Sequence, residues 1–180
     1  MKLILPKNWD IVSEVIGFIP NSVIAGSLVD KIHLSDNGSF SGVFKDIDLE
    51  IDKQDYQSLL NKCGITYEEG KFVSEINFQE LHLKLIKFDL HPDIIIYFGS
   101  YKGIPVDLFV LDDKRISQES IINGFNIRYQ TVESRQQVID SILSINPTRS
   151  RSKLMENLWL SQKKTSLSKK KKVLEAKFKK

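Results

Sequence analysis

The stretch VFKDIDLEID, Val43–Asp52, alternates apolar and acidic residues. Side chains two apart on a strand share a face. This spacing puts Ile47, Leu49 and Ile51 on one side, and Asp46, Asp48 and Glu50 on the other. Two readings compete for it. One is an amphipathic edge strand whose acids are simply wet. The other is a pair of carboxylates, Asp46 and Asp48, aimed together at a charged ligand. The neighbouring sequence decides between them.

Upstream lies a short apolar run, Ser22–Ala25, read as a buried strand and closed by Gly26 and Ser27, so that the stretch Val23–Ser27 reads VIAGS. Leu28–Leu34 follows with the pattern of one or two helical turns. Gly26 has no side chain, so backbone there can approach a phosphate group closely. Ser27 sits where a helix N-terminus offers N–H groups to an anion. Downstream lies IPVDLFVL, Ile104–Leu111, with Asp107 alone among apolar neighbours. A lone carboxylate in such a strand is costly to bury unpaired.

Taken in order, these three features describe a metal-assisted phosphoryl-transfer site. Carboxylates at i and i+2 of a strand stand about 7 Å apart along the backbone. They can converge on two ions held about 4 Å apart. Mg²⁺ is the ion expected, because it takes hard oxygen ligands and lets substrate phosphates complete its shell. Asp107, on a neighbouring strand, would serve as a third ligand and help deprotonate an attacking hydroxyl.

The motifs VIAGS, FKDIDLEI (Phe44–Ile51) and IPVDLFVL resemble the polymerase-beta-type nucleotidyltransferase superfamily, and the chain looks like a small single-domain member. The resemblance covers Val23–Leu111. It implies a nucleotidyltransferase fold and transfer of a nucleoside monophosphate from an NTP to a hydroxyl, with release of pyrophosphate. It further implies that Gly26 and Ser27 hold the triphosphate, Asp46, Asp48 and Asp107 the two Mg²⁺ ions, and that Asp107 assists the nucleophile. The chain departs from the pattern in places. Eighteen residues separate Ser27 from Asp46, as in antibiotic-modifying and toxin-like branches, yet Val43, Phe44 and Lys45 stand where those branches often carry Arg and Thr. GSLVD, Gly26–Asp30, lacks the Arg of the CCA-adding branch. Arg151–Lys153 resembles a basic motif of small members.

Elsewhere the sequence reads as mixed α/β (α+β), a mixed sheet flanked by helices. Helices are expected over Asp10–Ile19, Asp55–Cys63 and Val132–Ile145, with a last one beginning at Leu154 and running into the lysines. Strands are expected over Leu81–Lys87, Asp93–Phe98, Ile104–Leu111 and Phe125–Gln130, the second and third joined as a hairpin through Gly99–Gly103. Ser35–Gly42 reads as a loop.

Hydrophobic residues make up 41% of the 180 and charged residues 27%, the balance of an ordinary globular protein. Cys63 is the single cysteine, which excludes a disulfide framework and a Cys-rich zinc site. His33, His82 and His91 lack ligand spacing. The net charge of +3 is uneven: residues 161–180 hold nine lysines and one glutamate, +8, which leaves −5 on the preceding 160. The expected organisation is therefore a nucleotidyltransferase domain over 1–160 and a Lys-rich tail over 161–180. The tail gives a slight preference for a nucleic acid (RNA) acceptor. The alternatives are a small-molecule or protein acceptor, or an inactive nucleotide-binding scaffold. The N-terminal MKLILPKNWD has no secretory pattern, and the apolar run around Ile94–Phe98 is too short to span a bilayer. A cytoplasmic protein without membrane contact is expected. The oligomeric state is not legible.

Overall fold

The computed structural model describes residues 9–34, 44–86, 95–113, 115–122, 125–144 and 154–178. The expected loop at 35–42, His91, and the basic 151–153 motif lie outside the described residues. Two compact units divide the chain, Met1–Gln130 and Thr131–Lys180.

The first unit holds α1 (Trp9–Phe18), β1 (Val23–Ile24), α2 (Gly26–Leu34), β2 (Ile47–Asp52), α3 (Lys53–Lys62), β3 (Glu75–Phe78), β4 (Leu81–Ile86), β5 (Ile95–Tyr101), β6 (Ile104–Leu111), β7 (Ser117–Ile122) and β8 (Phe125–Gln130). The strands form one sheet in the order β3-β4-β5-β6-β2-β1-β8-β7. β2 is parallel to β6, and β1 is parallel to β8; the other neighbours are antiparallel. The expected mixed sheet with helices is what this unit builds.

β2 is an interior strand, flanked by β1 and β6, and this removes the edge-strand reading of VFKDIDLEID. Its apolar side chains Ile47, Leu49 and Ile51 are buried together with Val106, Leu108 and Tyr97 of neighbouring strands and with Val12, Leu28, Tyr56 and Leu60 of the three helices. The opposite face of β2 is not wet either: Asp48 is 7% exposed and Glu50 2%.

Local chemistry sets the element ends. The Asp52 side chain accepts from Asp55 N at 2.8 Å and starts α3. β5 and β6 meet at a two-residue turn in which Lys102 has φ 47° and Gly103 φ 76°. Two successive positive φ values match the twist of a tight hairpin. The expected hairpin is therefore present, but β5 runs on through Gly99 to Tyr101, so the turn is shorter than the five residues expected. β3 and β7 are strands that the residue pattern did not indicate.

In the second unit, α4 (Val132–Ser144) begins after Thr131, whose Oγ1 accepts from Ser134 N at 3.1 Å. α5 (Leu154–Phe178) buries Leu160, Leu167 and Leu174, seven residues apart and so on one helix stripe. Lys171 is ion-paired with Asp140 of α4. The expected boundary at 160 falls inside α5. No helix among the described residues is long and apolar enough to cross a membrane.

A closed ring of hydrogen bonds fixes the segment before β3. Tyr97 Oη donates to Val73 O at 2.9 Å, Tyr56 Oη lies 2.7 Å from Tyr97 Oη, and Val73 N donates to Tyr56 Oη at 3.1 Å. Burial pushes the Tyr97 hydroxyl pKa up, so the fold holds the neutral phenol. With an acid whose pKa is raised by folding, stability falls as pH rises above the unfolded value, about 10 for tyrosine. Tyr97→Phe leaves Val73 O without its donor and the Tyr56 hydroxyl without its acceptor, and is expected to cost about 1–3 kcal/mol. Thermal unfolding at neutral pH checks this. An unchanged Tm would show that the ring contributes nothing.

Candidate nucleotide site

The site forms where β1 delivers the chain to α2. β1 pairs antiparallel with β2, Val23 opposite Glu50 and Ile24 opposite Leu49. Ala25 N continues the ladder to Asp48 O at 2.8 Å. The next residue, Gly26, turns into the helix with φ 63°, a left-handed conformation that side chains rarely adopt. A Cβ built on Gly26 would overlap the Asp48 carboxylate. Glycine is thus required twice, by its backbone angle and by the acid packed against it.

Ser27 Oγ donates to Asp46 Oδ1 at 3.0 Å. Asp46 is half-buried and lies just before β2 rather than within it, a small correction to its expected place on the strand. On the other side, the parallel ladder sets Asp48 directly opposite Asp107 of β6. Paired residues of neighbouring strands share a face, so Asp48 and Asp107 stand on the same side of the sheet. Asp107 is half-buried. The fold therefore joins the five candidate residues pairwise, Gly26 with Asp48, Ser27 with Asp46, and Asp48 with Asp107.

The donor set is all hard oxygen, which suits Mg²⁺ in kind. Among the described residues, no group of three or more His, Cys, Asp or Glu side chains could hold a metal ion by itself. Mg²⁺ commonly takes only one or two carboxylates and fills its shell with waters and substrate phosphates. The residues fit such a shared site, and they do not form a closed protein cage.

The same sheet face carries groups that no motif pointed to. Glu50 is ion-paired with Arg115, and Gln130 Nε2 donates to Glu50 Oε1 at 2.8 Å. Gln130 is fully buried, and its backbone oxygen accepts from His33 Nε2 of α2 at 2.8 Å. His33 is a buried structural residue whose ring also packs on Tyr129. Glu50 was legible only as one more exposed acid. Its partners lie 65 and 80 residues further along the chain, with no motif to connect them.

Gly26→Ala is expected to destabilise by about 1–3 kcal/mol from the positive φ alone, with the clash against Asp48 added. In an Asp48→Ala background the same change is expected to cost less, by about 0.5 kcal/mol or more, because contacting residues couple. Denaturant unfolding of the four proteins measures this. Strict additivity would mean that Gly26 and Asp48 do not meet.

No family model matches the chain, and none of the curated proteins does. Among solved structures it is similar to an antigenic nucleotidyltransferase-like protein from Paracoccidioides brasiliensis, with 15% identity over 87% of this chain and 72% of that one, at a TM-score of 0.34. That score is too low to establish a shared fold, and the site stands on its own geometry.

Proposed function

We propose that the chain is a Mg²⁺-dependent nucleotidyltransferase that moves a nucleoside monophosphate from an NTP to a hydroxyl acceptor. The observation that carries this reading is the bare Cα of Gly26 against Asp48, with Ser27 on Asp46 and Asp107 in register with Asp48. A glycine–serine turn at a helix start favours phosphate, because free N–H groups point outward there. Carboxylates beside it make sense only if cations accompany that phosphate.

In this reading Asp46, Asp48 and Asp107 hold the ions, and Gly26 and Ser27 receive the triphosphate. Bound Mg²⁺ supplies the positive charge that offsets the phosphates and the developing charge of transfer. The acceptor oxygen forms a bond to the α-phosphorus, the bond to the bridging oxygen breaks, and pyrophosphate leaves. Asp107 receives the proton of the acceptor hydroxyl.

Asp46→Asn, Asp48→Asn and Asp107→Asn are each expected to lower transfer by several orders of magnitude while the protein stays folded. Losing a ligand carboxylate removes several kcal/mol of charge stabilisation, and about 1.4 kcal/mol is tenfold in rate. Transfer from labelled NTPs into cellular RNA or lysate checks this, with circular dichroism for the fold. Wild-type rates in these variants would refute the assignment. NTP binding without transfer by the wild-type protein would leave a nucleotide-binding scaffold.

Nucleic acid is the preferred acceptor. α5 presents Lys163, Lys169, Lys172 and Lys177 to solvent. Exposed cations of this kind are suited to phosphate backbones. Because Leu167 and Leu174 are buried, truncation would remove core along with charge, and substitution is the cleaner test. Replacing the four lysines with glutamine is expected to leave NTP binding unchanged and to weaken RNA binding. The log–log salt slope should fall by about 0.7 for each single-strand phosphate that the variant no longer neutralises. An unchanged slope would move the acceptor to a small molecule or a protein.

A further inference from the structure

A polyphosphate beside carboxylates needs cations, and a side-chain cation anchored nearby would add to the charge of bound ions. Arg128, in register with Val23 and Glu50, is one cation anchored on this face, and Arg115 is another. It lies just ahead of β7 and is ion-paired with Glu50, which follows Asp48 by two residues on the same side of β2. The Glu50 side chain is 3% exposed and the Arg115 side chain 27%, so the pair is closed on the carboxylate side and open on the guanidinium side. Gln130 Nε2 donates to the same Glu50 oxygen, which fixes the carboxylate from a second direction.

A guanidinium has five N–H donors in one plane. Among the described residues Arg115 donates through Nη1 to Glu50, leaving other donors directed elsewhere. The fork matches the oxygens of a phosphate, and its planar rigidity means little freedom is lost on binding. The other candidate cations are placed less well. Arg128 is committed to Glu119 at 2.7 Å, and Lys45 is exposed on a flexible stem.

We propose that Arg115 binds the polyphosphate of the incoming nucleotide, and that Glu50 is the positioning residue that holds its guanidinium beside Asp48. This rests on the nucleotidyltransferase reading and adds to it a cation that neither the motifs nor their spacing indicate. The alternative is that the pair only neutralises a buried charge.

Two variants of the full chain separate these roles. R115Q removes the cation. E50Q keeps an acceptor oxygen for the guanidinium while removing the negative charge, so the positive charge of Arg115 is no longer offset. The probes are inorganic tripolyphosphate and an NTP, each with Mg²⁺, followed by calorimetry, together with steady-state transfer. R115Q is expected to weaken both probes and raise KM by about tenfold or more, the worth of a charge-assisted hydrogen bond, with kcat little changed. E50Q is expected to bind tripolyphosphate as tightly as wild type or more tightly. A purely structural pair predicts the opposite pattern, with affinity reduced alike in both variants. If R115Q does not fold, the R115Q/E50Q double variant, which leaves no charge buried, is measured in its place. Unchanged binding in R115Q, with transfer still abolished by Asp48→Asn, would overturn the role of Arg115 and leave the function standing. Failure of the wild-type protein to bind or turn over any NTP would overturn both.

Discussion

The parallel pairing of β2 with β6, in the register that sets Asp48 opposite Asp107, is the constraint from which the rest of the site follows. A strand has a side-chain period of two, so a slip of one residue would send Asp48 and Glu50 into the helix-covered core and turn Ile47, Leu49 and Ile51 out. Burial of those three residues beneath α1, α2 and α3 therefore locks the register, and the register in turn fixes the acidic face. β1 then lies antiparallel on the other edge of β2, and its end delivers Gly26 to Asp48 and Ser27 to Asp46. Hydrophobic burial on one face places the acids on the other.

That second face is built at an energetic cost. Burying a carboxylate without a partner costs several kcal/mol, so acids at 7% and 2% exposure need compensation. For Glu50 the compensation is internal, from Arg115 and Gln130, and Gln130 is itself tied to α2 through His33. The far end of α2 is thus fastened to the same network whose near end, at Gly26 and Ser27, meets Asp48 and Asp46. The helix is held at both ends by polar contacts to the acidic face.

The sequence was informative where local chemistry decides. The strand–glycine–helix turn, the alternation through β2, and an aspartate among apolar residues of β6 each follow from residue type and spacing, and the fold brings them together. Alternation says which way a side chain points but not what covers that side, and so Glu50 read as wet. β3 was not legible because its turn, Gln79–Glu80, has none of the usual turn residues; Gln79 takes φ 53° without being Gly or Asn. β7 is a polar edge strand whose Ile121 is 74% exposed, and none of its side chains from Ser117 to Ile121 is fully buried. The Lys-rich end read as a tail because charge dominates its composition, while Leu160, Leu167 and Leu174 supply a sparse stripe that only helix geometry makes continuous.

In the proposed function, Gly26, Ser27, Asp46, Asp48 and Asp107 compose one nucleotide site. A crystal structure of the full chain with Mg²⁺ and a non-hydrolysable NTP analogue tests it most directly. The triphosphate is expected at the Gly26–Ser27 turn, with cation density between it and the carboxylates of Asp46, Asp48 and Asp107. An analogue bound elsewhere on the molecule, or bound at the turn with no cation at those carboxylates, would contradict it.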